Sequence, residues 1–330
     1  MERDAAVDSI RDDNISGSQT IARYAAALAV ERVDEACRQQ AAAPRGTADH
    51  GEVATLLLEL GNALIDAHPA MAPLYNLFGA LLECVQDGDT GSAGTAGRDD
   101  TPGRVRRAAA AFVERMDAHN RAIGRRFGAI VDPGTAIFTH SAASTVRAAL
   151  LSCRDAGRRF SVHCTESRPV GEGSALAREL ARHGIAATLS TDSLAFALLR
   201  RSERAMLVVG ADAVTPHGVV NKAGTLGLAT AARSWGVPFY VLAGSEKFLP
   251  SASPDGHLRK RPPEEVLAEI PEGLGVVNYY FDLTPLDCVT AIITEEGRLT
   301  VEGAIRKLAE CRMHPGLTEG NSNLAPPPSC

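Results

Sequence analysis

No two cysteines in this chain are spaced as Cys-x-x-Cys. The seven present, Cys37, Cys84, Cys153, Cys164, Cys288, Cys311 and Cys330, are odd in number and scattered. That pattern argues against a disulfide framework and structural zinc, and for free thiols in a reducing cytoplasm. An excess of positive charge is also lacking: 34 Lys and Arg stand against 40 Asp and Glu, for a net charge of −6. The balance offers no electrostatic footprint for nucleic acid or an anionic membrane surface. No apolar run reaches the length of a membrane span, and the opening MERDAAVDSIRDD is too acidic for a signal peptide. Neither a Gly-x-Gly-x-x-Gly nor a Gly-x4-Gly-Lys-Ser/Thr motif occurs, which lowers a dinucleotide or P-loop role. His163 and His217 have no second ligand at a metal-binding spacing. What is present is 45% apolar and 22% charged residues in 330, the composition of a cytoplasmic globular protein with ample length for a core.

Strand signals are nearly missing from residues 1–130. Helical spacing of apolar side chains runs through 18–37, behind a serine cap, and through 52–67 and 71–85. Residues 86–104, rich in Gly, Asp, Ser and Thr, read as a flexible loop, and a long Arg/Ala helix is expected from about Val105 to Phe127. At Asp132-Pro133-Gly134 the pattern changes. Short β-rich runs, TAIFT (135–139), FSVHC (160–164), AATLS (186–190), AMLVVG (205–210), PFYVLA (238–243) and VTAIIT (289–294), alternate with helical ones. Strands and helices at this spacing predict an α/β fold: an N-terminal helical domain (1–130), then a Rossmann-like domain with a mostly parallel sheet (131–314). Residues 315–330 read as a disordered tail.

Ligands of an open parallel sheet bind beyond the carboxyl ends of its strands. The residues expected on that rim are His140 and Ser141, Thr165 to Arg168, Thr191 and Asp192, Asp212, and Ser245 to Lys247. Asn221 and Lys222 are expected to open the helix after the fourth strand, where free amides and the helix dipole favour an anion. Arg168, Lys222 and Lys247 beside Asp192 and Asp212 would suit a phosphorylated polyol, with cations for phosphate and carboxylates for hydroxyls or proton transfer. Plainer roles compete: Asp212 as a turn residue, Asn221 as a helix cap, Lys247 in solvent, and Cys164 as a small core hydrophobe.

Four motifs occur in order: TESRP (165–169), GADAV…NKAGT (210–225), GVPFYVLAGSEKF (236–248) and FDLTP…AIITEEG (281–297). With IRDDNISGSQTIARYAA (10–26) and AHPAMAPLYNL (67–77), they make nearly the whole chain similar to one superfamily. It joins the alpha, beta and delta subunits of translation initiation factor 2B to ribose-1,5-bisphosphate isomerase and methylthioribose-1-phosphate isomerase. The resemblance implies a site between the two domains, a homodimer or higher oligomer, a possible translation-factor partner, and no metal or organic cofactor. The isomerases interconvert aldose and ketose phosphates with a cysteine and an aspartate. The aspartate is kept as Asp212, but Ser141 stands at the cysteine's position in Thr139-His140-Ser141. Ser16-Gly17-Ser18 and His68 replace two motifs that carry phosphate-holding arginines. Asn221, Lys222 and Lys247 match sugar and phosphate contacts, and Ala143, Ser144 and Thr145 fall in the ligand-binding segment after Ser141.

A hydroxyl is far less acidic than a thiol, and a forked guanidinium is not replaced by Ser or His without loss. The first expectation is therefore a regulatory or weakly active protein that binds a sugar phosphate or nucleotide monophosphate. The alternative is an isomerase with an altered catalytic pair, using Asp212 with His140 or Cys164. A structural subunit that binds no ligand is the third.

Overall fold

The computed structural model describes residues 5–13, 15–41, 50–86, 100–251 and 259–317. Its first part is a helical assembly: α1 (Ala5–Arg11), α2 (Ser18–Ala41), α3 (His50–Ala67), α4 (Ala72–Gln86) and α5 (Thr101–Gly128). Helix α3 buries Val53, Leu57, Leu60, Leu64 and Ile65, the three-and-four spacing of one helix face. These pack with Leu74, Leu77, Phe78 and Leu81 of α4 and with Val105, Phe112 and Met116 of α5. The far end of α5 turns Ile123 and Phe127 into a different core, that of the sheet. One helix thus belongs to both halves of the molecule.

The sheet is built from β1 (Thr135–Thr139), β2 (Phe160–Thr165), β3 (Ala186–Ser190), β4 (Ala205–Val209), β7 (Phe239–Leu242), β9 (Ala291–Ile293) and β10 (Arg298–Leu299). Their order is β10-β9-β7-β4-β1-β2-β3. All pairings are parallel except that of β10 with β9. Side chains alternate across it with period two. Ile137, Met206, Val208, Tyr240 and Leu242 face α6 (Ser144–Asp155) and α7 (Glu172–Arg182). Phe138, Leu207, Val209, Phe239 and Val241 face α8 (Leu194–Arg201), α9 (Thr225–Ser234) and α10 (Val301–Glu310). Helices on both faces make the sheet doubly wound, as the alternation of strand and helix signals predicts. The chain reverses direction across the sheet between β1 and β4, the position where such sheets open a crevice.

A second sheet was not foreseen. Strands β5 (Ala213–Thr215), β6 (Gly218–Lys222) and β8 (Phe281–Thr284) pair antiparallel in the order β5-β6-β8. Asn221 and Lys222 therefore end a strand and do not open a helix. Helix α9 begins at Thr225 behind Gly224, and its first amides, at Gly224 and Leu226, donate to the Asp282 carboxylate of β8. The cap expected of Asn221 comes from a residue 61 positions later in the chain. Of the 86–104 segment, Gln86 closes α4 and Thr101 opens α5, while 87–99 lie outside the described residues. Of the expected tail, Leu317 is fully buried in the helical core and Gly316 accepts a hydrogen bond from Asn62, while 318–330 lie outside the described residues. No helix of the described residues is long and apolar enough to cross a membrane.

Candidate functional site

A cleft, open in part to solvent, lies over the crevice between β1 and β4 and against the loops of the helical assembly. The residues expected at the site converge there from distant parts of the chain. Ser16 and Gly17 come from the turn before α2, Ser18 from its first residue, and His68 from the turn after α3. Ser141 and Ala143 come from the loop joining β1 to α6, and Ser144 and Thr145 from the first turn of α6. Asp212 follows β4, Asn221 and Lys222 end β6, and Lys247 closes a short 3-10 turn after β7.

The amides at the start of α6 receive no side-chain cap, because the residue before the helix is Ala143. Uncapped amides at a helix start favour an anion. Across the cleft Lys247, 4% exposed, donates from Nζ to Ser18 Oγ. Burial pulls the Lys247 ammonium below the usual lysine range, opposed by the nearby charges of Asp212 and Glu246. Asp13 accepts backbone hydrogen bonds from Ile15 (3.0 Å) and Ser16 (2.8 Å), which shapes the turn that carries Ser16. Burial of the Asp13 carboxyl is outweighed by those bonds, so it titrates below its ordinary value.

Ser141 sits in the left-handed region, at φ 71°, a conformation that a residue with a side chain rarely holds without support. Its amide donates to Ser167 Oγ at 2.8 Å, and its hydroxyl donates to Glu172 Oε1 at 3.0 Å. Lys222 Nζ lies 2.9 Å from the same Glu172 oxygen and 4.6 Å from the centre of the Tyr280 ring. Glu172 occupies the first turn of α7, which can dock closely because Gly173 follows: a Cβ there would lie 1.9 Å from the Thr165 carbonyl oxygen.

His68 is 2% exposed and donates from Nε2 to the Ile10 carbonyl at 2.8 Å. Burial holds its pKa below the ordinary histidine value despite that carbonyl, and the charge of Arg261 adds to the effect. A neutral His68 is no substitute for a guanidinium. The cleft nevertheless has an arginine, Arg261, whose guanidinium stacks 4.9 Å from the Tyr280 ring centre. Sequence reasoning missed Arg261, Glu172 and Tyr280. They come from α7 and the stretch before β8, and nothing local marks them as neighbours of Ser141 or Lys222. Three carboxylates (Asp13, Glu172, Asp212) and three cations (Lys222, Lys247, Arg261) line the cleft.

Several expected rim residues do other work. Arg168 is exposed and donates to the Val266 carbonyl at 3.1 Å, outside the cleft. Asp192 is not a cleft carboxylate either; it accepts the backbone amides of Ser167 (2.7 Å) and Arg168 (2.8 Å) and so shapes the turn beneath Ser141. Both ring nitrogens of His140 are committed, Nε2 to the Ala223 carbonyl (2.8 Å) and Nδ1 to Thr165 Oγ1 (2.6 Å), and burial lowers its pKa. It serves as a brace, so the reading of His140 as a substitute catalyst fails. Cys164 is buried in the sheet core away from the cleft, with its thiol pushed up to about 12 by burial, and cannot stand in for a reactive thiol. Among the described residues no three His, Cys, Asp or Glu are grouped to hold a metal ion.

A polar chain runs from the cleft into the junction between helices and sheet. Ser144 Oγ donates to Gln19 Oε1 at 2.7 Å, and Gln19 Nε2 donates to Glu246 Oε1 at 2.9 Å. Glu246 Oε2 lies 2.8 Å from His119 Nδ1, and His119 Nε2 lies 3.6 Å from Glu295. Burial alone would lower the His119 pKa, but the hydrogen bond and charge of Glu246, with Glu295, raise it. Burial alone would raise the Glu246 pKa, but His119 and Lys247 lower it.

Fold and site together define an α/β protein with a small, densely charged cleft at the direction switch of a doubly wound sheet. The chain belongs to the initiation factor 2 subunit family, which it matches over residues 14–301. It is 35% identical over 242 residues to a 5-deoxyribose 1-phosphate isomerase of Moorella thermoacetica, covering 67% of this chain and 68% of that one. A methylthioribose-1-phosphate isomerase of Pelotomaculum thermopropionicum is 36% identical over 238 residues, 62% of this chain and 63% of its own. The match thus spans less than two thirds of that relative's length. A crystal structure of the Pyrococcus horikoshii translation initiation factor eIF-2B superposes with a TM-score of 0.73 at 29% identity, over 89% of this chain and 95% of that one.

Proposed function

We propose that this chain binds a small phosphorylated sugar in the cleft between its helical and α/β domains. The observation that carries the proposal is the convergence of Lys222, Lys247 and Arg261 with the uncapped start of α6 around one cleft that Asp212 also lines. Cations and amides suit the phosphate; Asp212 and Asn221 suit hydroxyls. The names of the relatives point to a five-carbon sugar carrying a 1-phosphate. A cytoplasmic protein that binds such a ligand and acts by assembling with copies of itself, or with a translation-factor partner, fits the likeness to the initiation factor.

Titration calorimetry with 5-methylthioribose 1-phosphate, ribose-1,5-bisphosphate and adenosine monophosphate tests the reading. Saturable binding of at least one is expected. Lys247→Met should weaken it by about tenfold or more, since a charge-assisted hydrogen bond contributes about 1.5–3 kcal/mol. Binding of none of the three would refute the proposal.

A second reading, an aldose-ketose isomerase, is favoured by one contact. The Ser141 hydroxyl, where a proton-transferring group is needed, is hydrogen-bonded to a carboxylate, Glu172. Its test is ketose formation followed by proton and phosphorus NMR. Turnover that disappears in Asp212→Asn is the expected result, and turnover unaffected by that change would exclude the mechanism.

A further inference from the structure

Glu172 has one oxygen in use and one idle. Oε1 accepts from Ser141 Oγ (3.0 Å) and from Lys222 Nζ (2.9 Å). Oε2 is buried and has no hydrogen-bond partner among the described residues, on a side chain only 10% exposed. Leaving a buried carboxylate oxygen unsatisfied is costly, so its position beside the cleft calls for a use. Ser141 spends its single hydrogen on Glu172, which leaves the serine oxygen as an acceptor for a ligand hydroxyl. The sheet orders these groups. Asp212 follows β4, Ser141 follows β1, and Glu172 begins the helix after β2, with β4, β1 and β2 adjacent. At about 5 Å per strand, Asp212 and Glu172 stand to either side of Ser141.

We propose that Ser141 and Glu172 form a proton relay that, together with Asp212, isomerises a furanose 1-phosphate to the ketose 1-phosphate. The proposal rests on the isomerase reading above. Asp212 takes the proton from C2 and returns it to C1. The bond between C1 and the ring oxygen breaks, its electron pair leaving with the oxygen, and the C2 hydroxyl becomes the ketone. That hydroxyl gives its proton to Ser141 while the serine proton passes to Glu172. The relay then returns one proton to the ring oxygen. C1 is reduced and C2 oxidised within one molecule, so atoms and electrons balance with no outside reagent. Ser141 is the catalytic residue that touches the sugar; Glu172 acts through it, and Lys222 balances the carboxylate charge.

The test measures ketose formation by NMR across pH 5–9, with 5-deoxyribose 1-phosphate, 5-methylthioribose 1-phosphate and ribose-1,5-bisphosphate as probes. Calorimetric affinities are measured alongside. Glu172→Gln is expected to lower kcat by about 100-fold or more, the scale of acid–base catalysis, with ligand affinity held within about threefold. Glu172→Asp should recover part of the rate. Ser141→Ala should lose a similar factor, so it carries the test if Glu172→Gln does not fold. A kcat kept within about threefold in the folded variants, or a rate loss matched by an equal loss of affinity, overturns the relay. Ligand binding without turnover by the unaltered protein also overturns it, while leaving the binding reading intact.

Discussion

Lys247 and His119 show how burial and charge divide control of single residues. Burial disfavours the Lys247 ammonium, and only Asp212, Glu246 and the Ser18 hydroxyl make its position tenable. At His119 the neighbouring acids prevail over burial, and this has a consequence in pH. A histidine whose folded pKa is raised contributes stability that is fully present below its unfolded value near 6.5 and is lost as pH rises through the folded value. Glu246, with a lowered pKa, contributes stability present above its unfolded value near 4.5 and lost as pH falls through the folded one. The pair is therefore worth most between about pH 4.5 and 6.5. Urea melts of the unaltered protein and of His119→Gln should differ most in that window and converge as pH rises toward 8. A difference that stays constant from pH 5.5 to 8 would rule out the coupling. Residue identity revealed Asp212, Ser141 and the two lysines as candidates, because each carries chemistry in a motif. Arg261 and Glu172 stayed hidden, since an arginine before a Pro-Pro pair and a glutamate opening a helix usually face solvent.

At the level of elements, the main sheet was legible because its strands are apolar runs punctuated by turns. All six expected strands are present within two residues of their anticipated ends. The second sheet was not legible. Strands β5 and β6 are only three and five residues long and sit inside what reads as one turn-rich connection. The pairing of β6 with β8, about 60 residues on, is a long-range event that no local pattern encodes. The helix reading of Asn221 failed for the same reason, as Asp282 supplies the cap from β8. The docking of α7 gives a prediction at this scale. Gly173→Ala would force a methyl group into the Thr165 carbonyl, and overpacking of this kind costs about 1–3 kcal/mol. A lower denaturation midpoint and a weakened Ser141–Glu172 contact, seen as a reduced kcat with ligand affinity kept, should follow. An unchanged midpoint would show that α7 shifts freely.

Over the whole molecule, the helical assembly and the sheet are joined by polar contacts around the cleft. Asn76 donates to the backbone oxygens of Glu246 (2.9 Å) and Phe248 (3.2 Å), the Ala72 amide donates to the Asp212 backbone oxygen (3.0 Å), and the Gln19 side chain reaches Glu246. A ligand gripping Ser16–Ser18 on one side and Lys222 on the other would tie the same halves together. Bound at 100 times its dissociation constant, it should add about 2.7 kcal/mol of stability, a rise in Tm of about 5 °C. Differential scanning with 5-methylthioribose 1-phosphate checks this, and Lys247→Met should remove most of the shift. A saturable ligand that leaves Tm unmoved would mean that it binds the folded and unfolded chains alike.

Apolar periodicity, punctuation by Gly and Pro, and motif order were enough to assign the helical region, the doubly wound sheet and the family. These are local or repeated signals, and each survives whatever the rest of the chain does. Tertiary structure alone decided which charges meet. It moved Arg168 and Asp192 away from the cleft, committed His140 to bracing, buried Cys164, and brought Arg261 and Glu172 beside Lys222 and Ser141. The physical reason is that a side chain's electrostatic partners depend on distance in space. Residues separated by about 30 to 250 positions become neighbours here only because the packing of α5, α7 and the second sheet places them there.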